Sequence, residues 1–256
     1  MELKQSERSN TKIKVAMCGS SGSGKTYSAL LVAYGITNDW SKIAVIDTES
    51  GSANLYAHLG GYKVLSMDAP FSPEKYIHGI NICEQAGIEV VIIDSISHCW
   101  ENLLASHAAM TGNSFVNWGK ITPRYNAFIQ KILQSNCHVI CTMRTKQDYN
   151  LVEKNGKMTP EKAGTKVIMR EGINYEFTIV MNMDLNHKAK VTKDRTGIFA
   201  EKSEFVPSTE TGKIILNWCN GEAKTIELPR TLYEVQENPP KNHLQYGSLA
   251  NYAQAS

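Results

Sequence analysis

A glycine-rich segment near the start of the chain has the residue types and spacing of a phosphate-binding loop. It matches the pattern G-x-x-x-x-G-K-[ST] and consists of Gly19, Ser20, Ser21, Gly22, Ser23, Gly24, Lys25 and Thr26. Glycines let backbone N–H groups turn toward phosphate oxygens, and the start of a helix adds partial positive charge. We therefore predict nucleotide binding, with Lys25 on the β- and γ-phosphates and the Thr26 hydroxyl on Mg²⁺.

Two acidic residues follow predicted strands and are expected to meet these phosphates. Asp94 ends the apolar run 89–94, and Glu49 follows the run 42–47. Ligands of doubly wound sheets bind at the carboxyl ends of the strands. We predict that Asp94 holds Mg²⁺ and that Glu49 orients or deprotonates the attacking water. The alternatives are a helix-capping role for Asp94 and a solvated loop position for Glu49.

The elements that position these residues predict an α/β fold. Apolar, β-branched runs predict strands at 13–18, 42–47, 62–67, 89–94 and 137–143. Helical patterns are found at 27–34, ending at Gly35, at 73–86 with Ser72 as N-cap, and near 99–109 and 117–134. This alternation predicts a mostly parallel central sheet with helices on both faces.

The second half of the chain predicts the edge of that sheet. Strands at 175–181 and 188–193 are expected to pair antiparallel, and 213–216 is predicted to be a last strand. We expect a flexible lead-in at 1–11, a single domain at 12–228 and a flexible tail at 229–256.

Composition and charge narrow the function classes. A net charge of +2 over 256 residues does not by itself indicate a nucleic-acid partner, so any basic site must be local. The six cysteines include no C-x-x-C pair, and Cys18, Cys137 and Cys141 fall in or beside predicted strands, which favours reduced core thiols. A polar start and the lack of a long apolar run predict a cytosolic protein without a membrane partner.

Several segments resemble the RecA-like recombinases. The resemblance covers about residues 12–218 and is strongest to the short, single-domain RecA-like ATPases of bacteriophages. Those proteins are linked to DNA recombination and single-strand annealing. The segments that carry it are 22–30, Asp47-Thr48-Glu49, 91–101, 135–144 and 193–197. The resemblance implies a RecA-like P-loop NTPase core with an antiparallel edge, ATP and Mg²⁺ as ligands, and Glu49 as the catalytic base.

The chain departs from the recombinases in two respects. Where they carry a glutamine that senses the γ-phosphate, this sequence has Met143 or Arg144, so the sensor is either missing or replaced by Arg144. We also find no room outside the core for their separate DNA-binding or oligomerisation domain.

A lysine-rich segment follows, where RecA-like proteins carry a mobile DNA-binding loop. Its cations can neutralise backbone phosphates of single-stranded DNA, and Tyr149 can stack on a base. The alternative is a solvated β-hairpin that turns at Asn155-Gly156. The predicted DNA-binding residues are Arg144, Lys146, Lys154, Lys157, Lys162 and Lys166.

The resemblance also implies a catalytic role in trans for Lys193 and Arg195. In RecA-like filaments, basic residues of this region reach the γ-phosphate bound by the neighbouring subunit. Activity would then require a homo-oligomer, either a filament or a ring. The alternative is ordinary surface charge beside a turn.

The sequence-based hypothesis is thus an ATP-hydrolysing, single-stranded DNA-binding protein that assists recombination or annealing, with a single-stranded-DNA-binding protein as a further partner. A phage-encoded protein would act in the host cytoplasm. The rival hypotheses are a P-loop kinase for a nucleotide or small molecule and an ATP-switched assembly module without significant hydrolysis.

Trp100, Phe115 and Trp118 are either base-stacking or core residues, and His138 is expected in the core.

Overall fold

The computed structural model describes residues 11–154 and 157–221, without the side chains of residues 150, 151, 154 and 157. The predicted tail at 229–256, and the lead-in apart from residue 11, lie outside this part of the chain. So does the predicted hairpin turn at Asn155-Gly156.

A mostly parallel sheet forms the centre of the molecule and confirms the predicted fold class. Its eight strands are β1 (Lys14–Gly19), β2 (Ile43–Asp47), β3 (Lys63–Ser66), β4 (Val90–Asp94), β5 (His138–Lys154), β6 (Lys157–Val167), β7 (Ile179–Met183) and β8 (Ala189–Asp194). The order is β3-β2-β4-β5-β1-β7-β8, with β6 paired to β5 alone. The first six of these strands run parallel, whereas β8 on β7 and β6 on β5 are antiparallel.

Helices cover both faces of the sheet because its strands are apolar on both sides. The helices are α1 (Lys25–Thr37), α2 (Pro73–Gln85), α3 (Ser97–Ala108), α4 (Ser114–Gln134) and α5 (Thr209–Cys219). Along β1, Val15 and Met17 face the core beneath α1 and α5, and Ala16 and Cys18 face the core beneath α2, α3 and α4. The parallel strands are therefore buried on both sides.

The predicted strand at 213–216 is wrong, because this segment lies within α5. Its three consecutive apolar residues, 214–216, are compatible with either a strand or a helix. The capping box between Ser208 and Thr211 begins a helix. Tight packing of Gly212 on Gly35 then holds α5 against α1.

The predicted end of α1 at Gly35 is also wrong, and the cause is again the packing of α1 against α5. A Cβ on Gly35 would overlap the backbone of Thr209 and Gly212. The glycine therefore permits a close helix crossing, and α1 continues to Thr37. The predicted strand at 175–181 begins only at Ile179, after a 3-10 turn at Ile173–Tyr175.

Several predictions of local structure are confirmed. Ser72 caps α2 by accepting a hydrogen bond from the Lys75 N–H. His138 is buried, and its Nδ1 accepts from the Ile13 N–H at 3.2 Å. All six cysteines are buried. In the described part of the chain, no helix has both the length and the apolar character required to cross a bilayer.

The close contact between α1 and α5 generates a stability prediction. Gly212→Ala inserts a Cβ where the Val32 carbonyl lies, so we expect a loss of about 1–3 kcal/mol in the free energy of unfolding. Urea denaturation followed by circular dichroism measures it. The matched control is Gly119→Ala on α4, where a Cβ meets open space; it should be neutral or slightly stabilising. Equal midpoints for the two variants would contradict the packing role of Gly212.

Candidate active site

The phosphate-binding loop lies between the carboxyl end of β1 and the start of α1. Gly22 and Gly24 both have φ of 80°, a left-handed conformation that favours glycine. Lys25 begins the helix, and its Nζ donates to the Ser20 carbonyl at 2.8 Å across the loop. The Ser23 hydroxyl is buried and has no hydrogen-bond partner among the described residues. The loop thus combines a lysine ammonium group with an unpaired hydroxyl, and its contact with phosphate stays a prediction.

Asp94 lies beside the loop and accepts two hydrogen bonds from threonines. The Thr26 Oγ1 donates to Asp94 Oδ2 at 2.5 Å, and the Thr142 Oγ1 donates to Asp94 Oδ1 at 2.5 Å. Burial raises the pKa of Asp94, and these two hydrogen bonds oppose the shift. The capping alternative is wrong, since α3 has Ile96 as N-cap and no side-chain capping bond. Thr26 and Asp94, the two predicted Mg²⁺ ligands, are in direct contact.

Glu49 lies in a tight turn directly after β2. Asp47 stabilises this turn because its Oδ1 accepts from the Glu49 N–H at 2.7 Å and its Oδ2 accepts from the Ala53 N–H at 3.1 Å. The Glu49 side chain is 23% exposed and faces the pocket beside the phosphate loop. It is therefore not the solvated loop acid of the alternative interpretation.

Arg144 forms a bidentate ion pair with Glu49. Its Nε donates to Glu49 Oε1 at 2.9 Å, and its Nη2 donates to Glu49 Oε2. Burial raises the pKa of Glu49, but the hydrogen bonds and charge of Arg144 outweigh it, and the pKa lies below its ordinary value. Glu49 is consequently a carboxylate at neutral pH. Arg144, predicted both as a DNA contact and as a possible sensor, lies inside the pocket.

A cavity of about 840 Å³ joins these groups. Besides the predicted residues it is lined by Tyr27, Tyr56, His187 and Val206, which the sequence analysis did not identify. The rings of Tyr27 and Tyr56 meet edge to face at 5.7 Å. Tyr27 directly follows the phosphate-binding loop, and this position in the sequence could have identified it as a cavity residue. Tyr56, His187 and Val206 reach the cavity only through the fold.

The lysine-rich segment forms the antiparallel strands β5 and β6, which together we call the hairpin; DNA binding by it stays a prediction. Lys146 lies opposite Lys166, Lys162 opposite Tyr149, and Lys154 opposite Lys157. Lys166 pairs with Glu171 at 2.5 Å. Like charges placed directly opposite each other repel. Glu171 offsets the charge of Lys166 and so reduces its repulsion of Lys146.

Lys193 and Arg195 lie far from the phosphate loop of their own chain in the topology. Lys193 lies near the end of β8 and Arg195 directly follows it. Because β8 is antiparallel to β7, both residues lie at the edge of the sheet where β1 begins. Both donate to the Tyr175 carbonyl, at 2.7 and 2.9 Å.

The aromatic residues near α3 and α4 divide between core and surface. Trp100 and Trp118 stack with centroids 6.0 Å apart and pack on the core, whereas Phe115 is 87% exposed.

The fold and this site define the class of P-loop NTPases. The chain matches a family model described as an AAA domain over residues 11–207, and it belongs to that family. No curated protein matches the chain. The family assignment supports nucleotide binding by the phosphate loop, in agreement with the prediction from Lys25 and Thr26.

The aromatic wall generates a binding prediction. Tyr56→Ala removes a ring that lines the cavity, so we expect the affinity for ATP to fall about fivefold, since aromatic contacts of this kind contribute about 1 kcal/mol. Fluorescence titration with a labelled nucleotide measures it. Tyr56→Phe should bind like the unaltered protein, and Leu55→Ala, at an exposed neighbour, is the control. Unchanged affinity in Tyr56→Ala would exclude Tyr56 from the nucleotide site.

Proposed function

We propose that this protein is a Mg²⁺-dependent ATPase that binds single-stranded DNA and assists homologous recombination or strand annealing, as a phage-encoded member of the RecA-like group. The observation that carries the proposal is the continuity of β5. Arg144 of this strand pairs with Glu49 in the pocket, and the pairing of β5 with β6 begins at the next residue, Thr145, with its first lysine at Lys146.

The site residues fit ATP hydrolysis. The Thr26 hydroxyl and the Asp94 carboxylate would hold Mg²⁺, which neutralises phosphate charge when bound. Thr142 supports this site by its hydrogen bond to the other carboxylate oxygen of Asp94. Lys25 releases the Ser20 carbonyl and binds the β- and γ-phosphates. The orphaned, buried Ser23 hydroxyl also supports an anion in the loop.

Glu49 is the general base or water-orienting group of this reaction. A carboxylate that stays ionised at neutral pH can accept a proton from water or align it. Arg144 takes the place of the recombinases' glutamine sensor and, unlike glutamine, brings a positive charge to the γ-phosphate. In the resting state it is paired with Glu49, and the triphosphate, with its higher negative charge, competes for it.

Movement of Arg144 links the nucleotide to DNA. Because Arg144 and the hairpin belong to one strand, a shift of Arg144 toward the γ-phosphate changes the start of the hairpin. DNA bound to the hairpin in turn changes the position of Arg144.

Lys193 and Arg195 act in a homo-oligomer in this proposal. They lie at the opposite edge of the sheet from the phosphate loop, so they cannot contact a γ-phosphate bound by their own chain and would act on one bound by another subunit. Subunits stacked head to tail would bring this edge against the neighbour's nucleotide, in a filament or a ring. A single-stranded-DNA-binding protein is the further partner expected in recombination.

ATP turnover tests the enzymatic part of the proposal. We expect turnover to require Mg²⁺, to rise more steeply than linearly with protein concentration, and to increase with single-stranded DNA. Steady-state phosphate release measures it. In Glu49→Gln we expect a loss of about a hundredfold or more with ATP binding intact, because the amide cannot act as a base.

The outcomes separate the rivals. Phosphate transfer to a nucleoside monophosphate would favour the kinase hypothesis. ATP binding without turnover would favour the assembly module. Turnover that Glu49→Gln leaves unchanged would remove Glu49 from the mechanism.

The hairpin lysines generate the DNA prediction. Lys146 and Lys162 are exposed, so replacing both with alanine should weaken single-stranded DNA binding and reduce the slope of log affinity against log salt by about 1.4, or 0.7 for each lost phosphate contact. Fluorescence anisotropy across a salt series measures it. The matched control is Lys63→Ala with Lys120→Ala, two exposed lysines outside the hairpin. Identical slopes for the two double variants would contradict DNA binding by the hairpin.

A further inference from the structure

His98 lies beside the proposed catalytic base and has no part in the chemistry described above. It is the second residue of α3, and its side chain is 12% exposed. The ring stacks on Phe71, with centroids 4.8 Å apart and planes 19° apart. Its two nitrogens face neighbouring residues of the same turn. Nδ1 lies 2.8 Å from Thr48 Oγ1, and Nε2 lies 3.9 Å from Glu49 Oε1.

The surroundings of the ring assign the hydrogen on Nε2. The Glu49 carboxylate only accepts hydrogen bonds, so a bare Nε2 would direct a lone pair toward negative charge. The Thr48 hydroxyl lies within hydrogen-bond distance of three acceptors, namely the Asp94 carbonyl at 3.1 Å, the Ser95 carbonyl at 3.2 Å and His98 Nδ1 at 2.8 Å, and its oxygen accepts from the Ser95 N–H at 2.9 Å. Nδ1 is the nearest of the three, and with the hydrogen on Nε2 it accepts from this hydroxyl. The contact with Thr48 holds the direction of the ring, and the Glu49 carboxylate favours the hydrogen on Nε2. His98 presents an N–H donor to Glu49.

Glu49 needs such a donor once Arg144 has turned to the triphosphate. In the resting state the carboxylate receives two hydrogen bonds and one positive charge from Arg144. Loss of that partner leaves a largely buried carboxylate unpaired, which is costly and leaves its position undefined. A shift of about 1 Å brings Glu49 Oε1 within hydrogen-bond distance of His98 Nε2. Phe71 and Thr48 hold the ring in place during this shift.

We propose that His98 is a positioning residue for Glu49, which accepts a hydrogen bond from His98 Nε2 when Arg144 moves to the γ-phosphate. The inference rests on the proposed ATPase function. It gives Glu49 two alternative partners: Arg144 holds it in the resting state, and His98 holds it during hydrolysis. The remaining carboxylate oxygen is then free to accept a hydrogen bond from water.

Two substitutions separate the two ring nitrogens. His98→Asn keeps a polar group near the position of Nδ1 but has none at Nε2, whereas His98→Gln places an amide N–H near Nε2. We expect His98→Asn to lower kcat for ATP hydrolysis about a hundredfold, as for a misplacement of about 1 Å, with KM and the dissociation constant for ATP unchanged within twofold. His98→Gln should restore kcat to within about fivefold of the unaltered protein, on the same reasoning.

The controls distinguish positioning from folding. His98→Phe preserves the stacking on Phe71 and should lose kcat as His98→Asn does. His107→Phe is the matched control, because this histidine lies on the same helix and stacks on Trp118 at 4.2 Å; its kcat should not change. In the Glu49→Gln background, His98→Asn should cause no further loss, because His98 acts through Glu49. Thermal unfolding and ATP binding are measured for every variant.

The inference and the proposed function fail in different ways. Turnover that Glu49→Gln does not reduce would overturn the proposed function itself. If Glu49→Gln abolishes turnover but His98→Asn keeps its kcat, only the role of His98 is overturned. The same holds if His98→Asn and His98→Gln lose kcat equally, or if the loss appears in ATP affinity rather than in kcat.

Discussion

A single buried carboxylate, that of Asp94, ties the phosphate-binding loop to the sheet. It accepts one hydrogen bond from Thr26 at the start of α1 and another from Thr142 on β5, while its own backbone continues β4. Burial of a carboxylate is unfavourable unless its oxygens are satisfied. The helix that carries the loop and two strands are therefore held in one arrangement, and the other polar groups of the site lie around it.

The second organising interaction is the ion pair between Glu49 and Arg144, which joins the turn after β2 to a residue within β5. These two strands are not neighbours in the sheet, since β4 lies between them. The side chains of Glu49 and Arg144 therefore meet across the end of β4, the strand that carries Asp94. An arginine paired with a glutamate at the rim of an anion site has two competing partners. The site is consequently suited to change its internal contacts when the charge of the bound phosphates changes.

The AAA domain family accounts for the nucleotide-binding part of the molecule. Two further arrangements bear on the proposed function. The acid that faces the pocket, Glu49, follows β2, whereas Asp94 at the end of β4 is followed by Ser95. In addition, β5 does not end at the pocket but continues into its antiparallel pairing with β6. Both arrangements agree with the RecA-like group proposed for this protein.

The sequence by itself determined the features that depend on local patterns. The phosphate-binding loop, the strands and helices around it, and the acids Glu49 and Asp94 were predictable, because spacing, glycines and β-branched runs act over a few residues. Two local patterns gave wrong predictions, the end of α1 at Gly35 and a strand at 213–216, because the packing of α1 on α5 decides the structure there. Only the tertiary structure decided that Arg144 pairs with Glu49, 95 residues away. It also brought Tyr56 and His187 to the cavity and set Lys193 at the opposite edge of the sheet. The physical reason is that such contacts arise from strand order and helix packing, which no local pattern of residues encodes.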